Sequence, residues 1–291
     1  GLVTLLESCR DAGVDRFVFS SSAGTYGLPD VDLVDEDVPG VPLSPYGESK
    51  LIGEWVMRDC ATAFGLRYMA LRYFNVAGAA SSELGDPGIF NLIPMVFREL
   101  ENQARPKVFG NDYPTPDGTC VRDYVHVADI AAAHLAAARA LDEGAGPATY
   151  NIGRGEGSSV LEVINVIGKV TGLDVTPEFV ERRPGDPARI VAAVDRIRDD
   201  LGFTAIRDLE DMVASAWTAW RAARSTATAI GIMIRVVAVL ETIIEMMAVA
   251  AMKANSIAAG RPFAPWRHWN WPRAWSCSTR RRSGATPATA R

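Results

Sequence analysis

Two short apolar runs, separated by one polar loop and one long helical stretch, set the frame for this chain of 291 residues. The first run, Phe17-Val18-Phe19, ends in the hydroxyls of Ser20, Ser21 and Ser22, and the second extends from Arg67 to Phe74. Between them, Leu28 to Ser44 is rich in Pro, Asp and Gly and reads as a surface loop. Tyr46 to Phe64 reads as a long helix closed by Gly65. Ahead of the first strand, Leu2, Leu5, Leu6 and Cys9 recur at helical spacing, and Gly13 stops that helix. Helix, strand, loop, helix and strand in this order is the rhythm of a parallel sheet flanked by helices, so the expected fold class is α/β.

The chemistry-bearing residues fall at the joints of this frame. Tyr46 and Lys50 are four apart on the long helix, so they share a face one turn apart. A strand-end Ser22 can be brought opposite them. A free tyrosine ionises near ~10, too high for a base at neutral pH. An ammonium one turn away favours the phenolate form. A serine hydroxyl both donates and accepts, so it can hold a substrate hydroxyl. Together the three suit removal of a proton from an alcohol while a hydride leaves its carbon. Tyr-x-x-x-Lys alone occurs by chance on many exposed helix faces; the triple serine before it and the motifs after it carry the case.

Those later motifs are ordered. Leu71-Arg72-Tyr73-Phe74-Asn75-Val76-Ala77-Gly78 is followed by Phe109-Gly110-Asn111-Asp112-Tyr113-Pro114-Thr115-Pro116-Asp117-Gly118-Thr119, then Val121-Arg122-Asp123-Tyr124-Val125-His126. Tyr150-Asn151-Ile152-Gly153 and Arg182-Arg183-Pro184-Gly185-Asp186 continue the series. With the Ser22, Tyr46 and Lys50 set, they resemble the UDP-glucose 4-epimerases of the extended short-chain dehydrogenase/reductase family. The resemblance covers about Gly1 to Arg224. It implies a Rossmann-like doubly wound parallel sheet, truncated at its amino end, with a smaller α/β sugar-nucleotide domain. The implied division is 1–76 for the remaining part of the NAD-binding domain and 77–224 for the UDP-sugar domain. Residues 225–291 are left as a divergent tail.

The same resemblance implies roles. Ser22, Tyr46 and Lys50 would be catalytic; Ser20, Tyr46, Lys50, Tyr73 and Phe74 would contact NAD. Asn75, Asn91, Leu92, Lys107, Phe109, Arg122, Arg183 and Asp186 would contact the UDP-sugar. Arg122 and Arg183 match arginines that grip a diphosphate, for which planar guanidinium forks are suited. Asp186 matches the acid that binds the uridine ribose. The implied reaction interconverts UDP-glucose and UDP-galactose through a 4-keto intermediate, within galactose metabolism. A non-catalytic UDP-binding fragment and an epimerase of another UDP-sugar are the alternatives. Helices 1–12 and 46–64 match the pair that forms a four-helix interface in the family, which implies a homodimer. Ile190 falls where family members vary a residue that controls access of N-acetyl sugars.

In this family a glycine-rich turn after the first strand holds the NAD pyrophosphate. By resemblance, roughly 100 residues bearing that turn would precede Gly1, about the first half of such a fold. Gly1 in place of an initiating methionine reads as a fragment or a processed chain, and no signal segment is read. Gly153-Arg154-Gly155-Glu156-Gly157 lies between a strand-like run and a helix, but its spacing is not G-x-G-x-x-G. It is expected to be a structural turn, with Ser158 or Ser159 capping the helix Val160 to Val170. Phe90 to Leu100 is expected to be a helix with Asn91 at its start, and Asp208 to Arg224 another, amphipathic one. His126 and His134 are expected to be structural, since Tyr46 already supplies a base.

Composition adds exclusions. A net charge of −5 argues against a nucleic-acid binder. Cys9, Cys60, Cys120 and Cys277 have no paired spacing, which points to reduced thiols in a cytoplasmic protein without a zinc site. Residues 1–225 carry a net of −12 and residues 226–291 a net of +7, so the boundary lies near Ser225. In the tail, Ala227 to Met252 contains Arg235, Glu241 and Glu245, which suits an amphipathic helix better than a membrane span. The Trp- and Arg-rich end reads as disordered or non-native sequence.

Overall fold

Successive residues of the first two strands face different helices, and this alternation builds the layers around the candidate site. The computed structural model describes residues 1–183 and 185–225; the expectations for the tail beyond 225 lie outside the described residues. The chain begins with α1 (Leu2–Asp11), β1 (Arg16–Ser22), a 3-10 turn (Ala23–Thr25), α2 (Pro45–Phe64), β2 (Arg67–Tyr73) and β3 (Asn75–Ala77). It continues through α3 (Leu92–Glu101), β4 (Lys107–Phe109), β5 (Val121–His126), α4 (Val127–Asp142), β6 (Ala148–Ile152) and β7 (Gly157–Ser159). It closes with α5 (Val160–Thr171), β8 (Glu178–Val180), β9 (Arg189–Ile190), α6 (Asp195–Leu201) and α7 (Leu209–Ser225).

β1, β2 and β6 form a parallel sheet in that order. Side chains alternate between faces with a period of two. Phe17 and Phe19 of β1 and Tyr68 and Ala70 of β2 therefore meet Leu6 of α1 and Met57 of α2. Val18, Met69 and Leu71 point the other way, onto Ile130, Ala133, Ala137 and Leu141 of α4. Helices on both faces of a parallel sheet are the α/β arrangement expected from the element order and the doubly wound form that the family resemblance implies. The third strand comes from residues 148–152, so the chain returns to this sheet after building much of the second core.

That second core lies among α3, α5 and α7. Ile93 and Phe97 pack with Val163, Ile164 and Ile167 and with Met212, Val213 and Trp220. Its strands are β3, β5 and β7, with β9 also on β5; β5 and β7 run antiparallel, the other pairs parallel. β4 and β8 form a separate parallel pair.

Local signals explain the helix ends. Ser44 Oγ accepts the Gly47 N–H at 3.1 Å, Pro45 opens α2 and Gly65 closes it at φ 75°. Ser159 caps α5 in a reciprocal box with Glu162. Two expectations shift. α3 starts at Leu92, with Asn91 as its N-cap residue, two residues later than Phe90. The Leu28–Ser44 stretch is not wholly a surface loop, because Val34 is fully buried with Tyr26, Phe74 and Ala192. Val34 N–H donates to Val191 and its carbonyl accepts from Ala193, both at 2.8 Å. Among the described residues no helix is long and apolar enough to cross a membrane.

Candidate active site

The triple serine distributes three hydroxyls in three directions. Ser20 shares the α4 face of the sheet, and its Oγ lies 2.7 Å from the Tyr73 hydroxyl. Ser21 shares the α2 face, and its Oγ donates to Glu54 Oε1 at 2.5 Å. Ser22 ends β1, where its Oγ accepts the Gly24 N–H at 3.0 Å and caps the 3-10 turn. Ser22 pairs with Tyr73 across the sheet, so both sit at carboxyl ends of parallel strands, where open α/β sheets bind ligands.

α2 approaches this strand end through glycines. A Cβ on Gly47 would lie 2.3 Å from the Gly24 carbonyl oxygen, and one on Gly53 would lie 2.4 Å from Phe19 Cζ. Only residues without side chains permit contacts this close. The result is that a Cβ on Gly24 would lie 3.3 Å from Ser22 Oγ and 3.8 Å from Tyr46 Cδ1. The serine hydroxyl and the tyrosine ring thus flank the same small space. Tyr46 is 58% exposed and so open to a ligand. Lys50 Nζ donates to the Ser20 carbonyl at 3.0 Å and lies 5.6 Å from the Tyr46 ring centroid. Burial lowers the Lys50 pKa.

Tyr73 and Phe74 lie beneath this space. The Tyr73 hydroxyl is 2.5 Å from His134 Nε2, and burial raises its pKa. Phe74 is turned into the cluster with Tyr26 and Val34, so a cofactor would meet its backbone. Asn75 follows at the start of β3 and is exposed; β3 pairs with β5, which carries Arg122. This ladder joins the strand end to a second group of residues.

In that group Arg122 Nη1 donates to the Val121 and Pro187 carbonyls at 2.9 and 2.8 Å, and Nη2 lies 3.7 Å from Asp186 Oδ1. The Arg183 guanidinium stacks 3.7 Å over the Phe109 ring. The Asp186 N–H reaches back to the Arg183 carbonyl at 3.3 Å. Phe109, Arg122, Arg183 and Asp186 are therefore brought together. Lys107 is on the same face of β4 as Phe109, by the period of two, and is exposed. Asn91 is exposed at the α3 N-terminus without a side-chain cap bond, and Leu92 follows it half-buried.

The Gly153–Gly157 turn is occupied from within. Asp123 accepts the Arg154 and Gly155 N–H groups at 2.8 and 2.9 Å and the Ala192 N–H at 3.2 Å. Burial still pushes its carboxyl up to about 6. A carboxylate stands where a phosphate would have to sit, so the turn is structural. His126 Nδ1 accepts the Ala128 N–H at 3.0 Å, which leaves the proton on Nε2, 3.0 Å from Ser215 Oγ. With that tautomer the ring cannot take a proton from Ser215. His134 Nδ1 lies 2.8 Å from the Ile130 carbonyl, which can only accept, so its Nε2 receives the Tyr73 proton. Burial lowers the pKa of both histidines, and both serve the fold.

Comparison with known proteins identifies the family. Residues 1–153 match the model of the NAD dependent epimerase/dehydratase family. The chain belongs to that family. Among the family's curated members, the UDP-glucose 4-epimerase of Azospirillum brasilense is 45% identical over 222 residues, which are 75% of this chain and 64% of that one. The UDP-glucose 4-epimerase of Bacillus subtilis is 43% identical over 223 residues, 75% of this chain and 66% of that one. The chain thus spans slightly less than two thirds of the length of these relatives. Among family structures, the Stenotrophomonas maltophila UDP-glucose-4-epimerase, with bound NAD and formylated UDP-arabinopyranose, matches with a TM-score of 0.73 at 40% identity. That match covers 77% of this chain and 68% of that one. The Bifidobacterium longum UDP-glucose 4-epimerase in complex with NAD+ and UDP matches with a TM-score of 0.68 at 37% identity, covering 78% and 68%.

Sequence reading passed over one set of polar residues in this family member. Glu54, Arg72, Tyr26 and Asn151 are all buried directly beneath the site. The available signal was a glutamate on the Tyr46–Lys50 face of α2 and an arginine inside an otherwise apolar strand.

Proposed function

We propose that this chain carries the catalytic and UDP-binding part of an NAD-dependent UDP-glucose 4-epimerase, which interconverts UDP-glucose and UDP-galactose. The observation that carries the reading is the meeting of Ser22, Tyr46 and Lys50 at the carboxyl ends of parallel strands. Tyr46 Oη would take the proton of the sugar 4-hydroxyl. Lys50 would hold positive charge beside the ring while the phenolate exists, and Ser22 Oγ would donate to the 4-oxygen. Arg122 and Arg183 would bind the diphosphate, Asp186 the uridine ribose, with Asn75, Asn91, Leu92, Lys107 and Phe109 around them.

The strand end fits the nicotinamide ribose. An ammonium has three donors, and among the described residues Lys50 uses one, on the Ser20 carbonyl. The others can serve sugar hydroxyls, with Ser20, Tyr73 and Phe74 forming the floor. Bound there, NAD would supply the hydride acceptor and donor that inversion at the sugar carbon requires. The division into 1–76 and 77–224, a cytoplasmic location and a place in galactose metabolism belong to the same reading. So does a homodimer, supported by exposed Val3 and Leu5 on α1 and Ile52 and Trp55 on α2.

A second reading is a UDP-binding chain without turnover. It is favoured by the Gly153–Gly157 turn, where Asp123 takes the Arg154 and Gly155 N–H groups, so that this turn is not open to a pyrophosphate. Calorimetric titration with UDP and with NAD, alongside an assay for UDP-galactose, separates the two. Formation of UDP-galactose supports the epimerase. UDP binding without NAD binding supports the second reading, and binding of neither overturns both. A panel of UDP-sugars in the same assay tests for a different hexose or pentose.

A further inference from the structure

Beneath the candidate site lies a buried ion pair that the proposed chemistry does not use. Glu54 is on α2, in register with Tyr46 and Lys50 at successive i+4 steps, so the three form one stripe facing β1 and β2. Arg72 is on β2, opposite Ser21. The guanidinium forks onto the carboxylate, with Nε to Oε1 at 2.9 Å and Nη2 to Oε2 at 2.6 Å. Both side chains are nearly closed to solvent, 9% exposed for Arg72 and 7% for Glu54.

Arg72 also reaches the turn that carries Ser22. Its guanidinium lies 4.7 Å over the ring of Tyr26, the residue that ends the 3-10 turn, and Nη1 is 3.3 Å from the Glu36 carbonyl. The Tyr26 hydroxyl in turn donates to Asn151 Oδ1 at 2.7 Å. Through one side chain, the helix bearing Tyr46 and Lys50 is tied to the turn bearing Ser22. Ser21 Oγ completes the tie by donating to Glu54.

A buried ion pair is a poor device for stability, because desolvation offsets its attraction and apolar replacements are often as stable. Its directionality is what an apolar pair lacks. We infer that Glu54 and Arg72 are positioning residues, which fix the rotation of α2 over β1 and so set Tyr46 and Lys50 against Ser22. The inference rests on the epimerase reading for its catalytic consequence, but not for its structural one.

The test compares Glu54→Gln, the paired replacement Glu54→Leu with Arg72→Met, and Ser21→Ala in the full chain. Amide hydrogen exchange is read without ligand at residues 47–51 of α2 and, as an internal control, at Val163–Ile167 of α5. Glu54→Gln is expected to speed exchange at 47–51 at least tenfold more than in α5, and to lower kcat at least tenfold with KM for the UDP-sugar within about twofold. The paired replacement is expected to regain the unfolding midpoint yet keep the fast exchange and low kcat. Regained wild-type exchange and kcat in that variant would overturn the inference, since the pair would then serve stability alone. Ser21→Ala removes one arm and leaves the ion pair; it is expected to speed exchange at 47–51 selectively, and no change there would also overturn it. If Tyr46→Phe keeps full turnover, the epimerase reading falls while the exchange result stands. If Tyr46→Phe is impaired and Glu54→Gln exchanges and turns over as wild type, the inference falls alone.

Discussion

Gly47, the residue after the candidate base, packs its α-carbon against the backbone of Gly24, the second residue after Ser22. A Cβ at Gly47 would stand 2.3 Å from the Gly24 carbonyl oxygen and 3.0 Å from Pro42 Cβ. Gly47→Ala must therefore push α2 away from the turn. Overpacking of this kind typically costs about 1–3 kcal/mol. The urea midpoint is expected to fall accordingly, and turnover with it, because Tyr46 moves off Ser22. A variant as stable and active as the parent would mean that the two backbones have room to part.

Acid sensitivity follows from the buried histidines. His134 is held neutral between the Ile130 carbonyl and the Tyr73 hydroxyl, and burial lowers its pKa below the ordinary 6.5. The unfolded chain then takes up a proton that the folded chain resists. Stability from this group is complete above 6.5 and is lost as pH falls below that value. His126 carries the same sign. Asp123, whose carboxyl is raised to about 6, has the opposite sign in parent and variant alike, so the expected readout is the difference: from pH 7 to pH 5 the urea midpoint of His134→Gln changes less unfavourably than that of the parent. Equal slopes in parent and variant would remove His134 from the account.

The Tyr46–Lys50 pair was legible because helical spacing alone puts residues four apart on one face. The ends of α2 and α5 were equally legible, since Ser159, Gly65 and Pro45 act within a turn of their own position. Register was not. Glu54 meets Arg72 only because β2 aligns Arg72 with Ser21, and nothing local to either residue reports that alignment. Val34 was hidden for the same reason, since its partners at Val191 and Ala193 are distant in sequence. Tyr73 and Phe74 fall at the strand end in chain order, but the alternation of β2 and the core around Phe74 turn their side chains inward. The roles proposed for Arg183, Asp186 and Asn91 rest on family resemblance, because single polar residues in loops carry no periodic signal.

The exposed apolar residues of α1 and α2 bear on assembly. Trp55 is 47% exposed and Ile52 52%, three residues apart on α2 and so on one face. Trp55→Glu would place a charge at the centre of a helix-to-helix contact. Sedimentation is expected to show a dimer for the parent and a monomer for the variant, with the urea unfolding of each then depending differently on concentration. A monomeric parent would remove the dimer.

The kcat of Tyr46→Phe relative to the parent, measured with NAD and UDP-glucose in excess, bears most directly on the proposed base at the centre of this site. Removing a general base typically costs about 10²–10⁴-fold in rate. A fall of at least about 10²-fold, with UDP affinity unchanged, is the expected result. Turnover equal to the parent's would contradict the assignment of Tyr46 as the group that takes the sugar's proton.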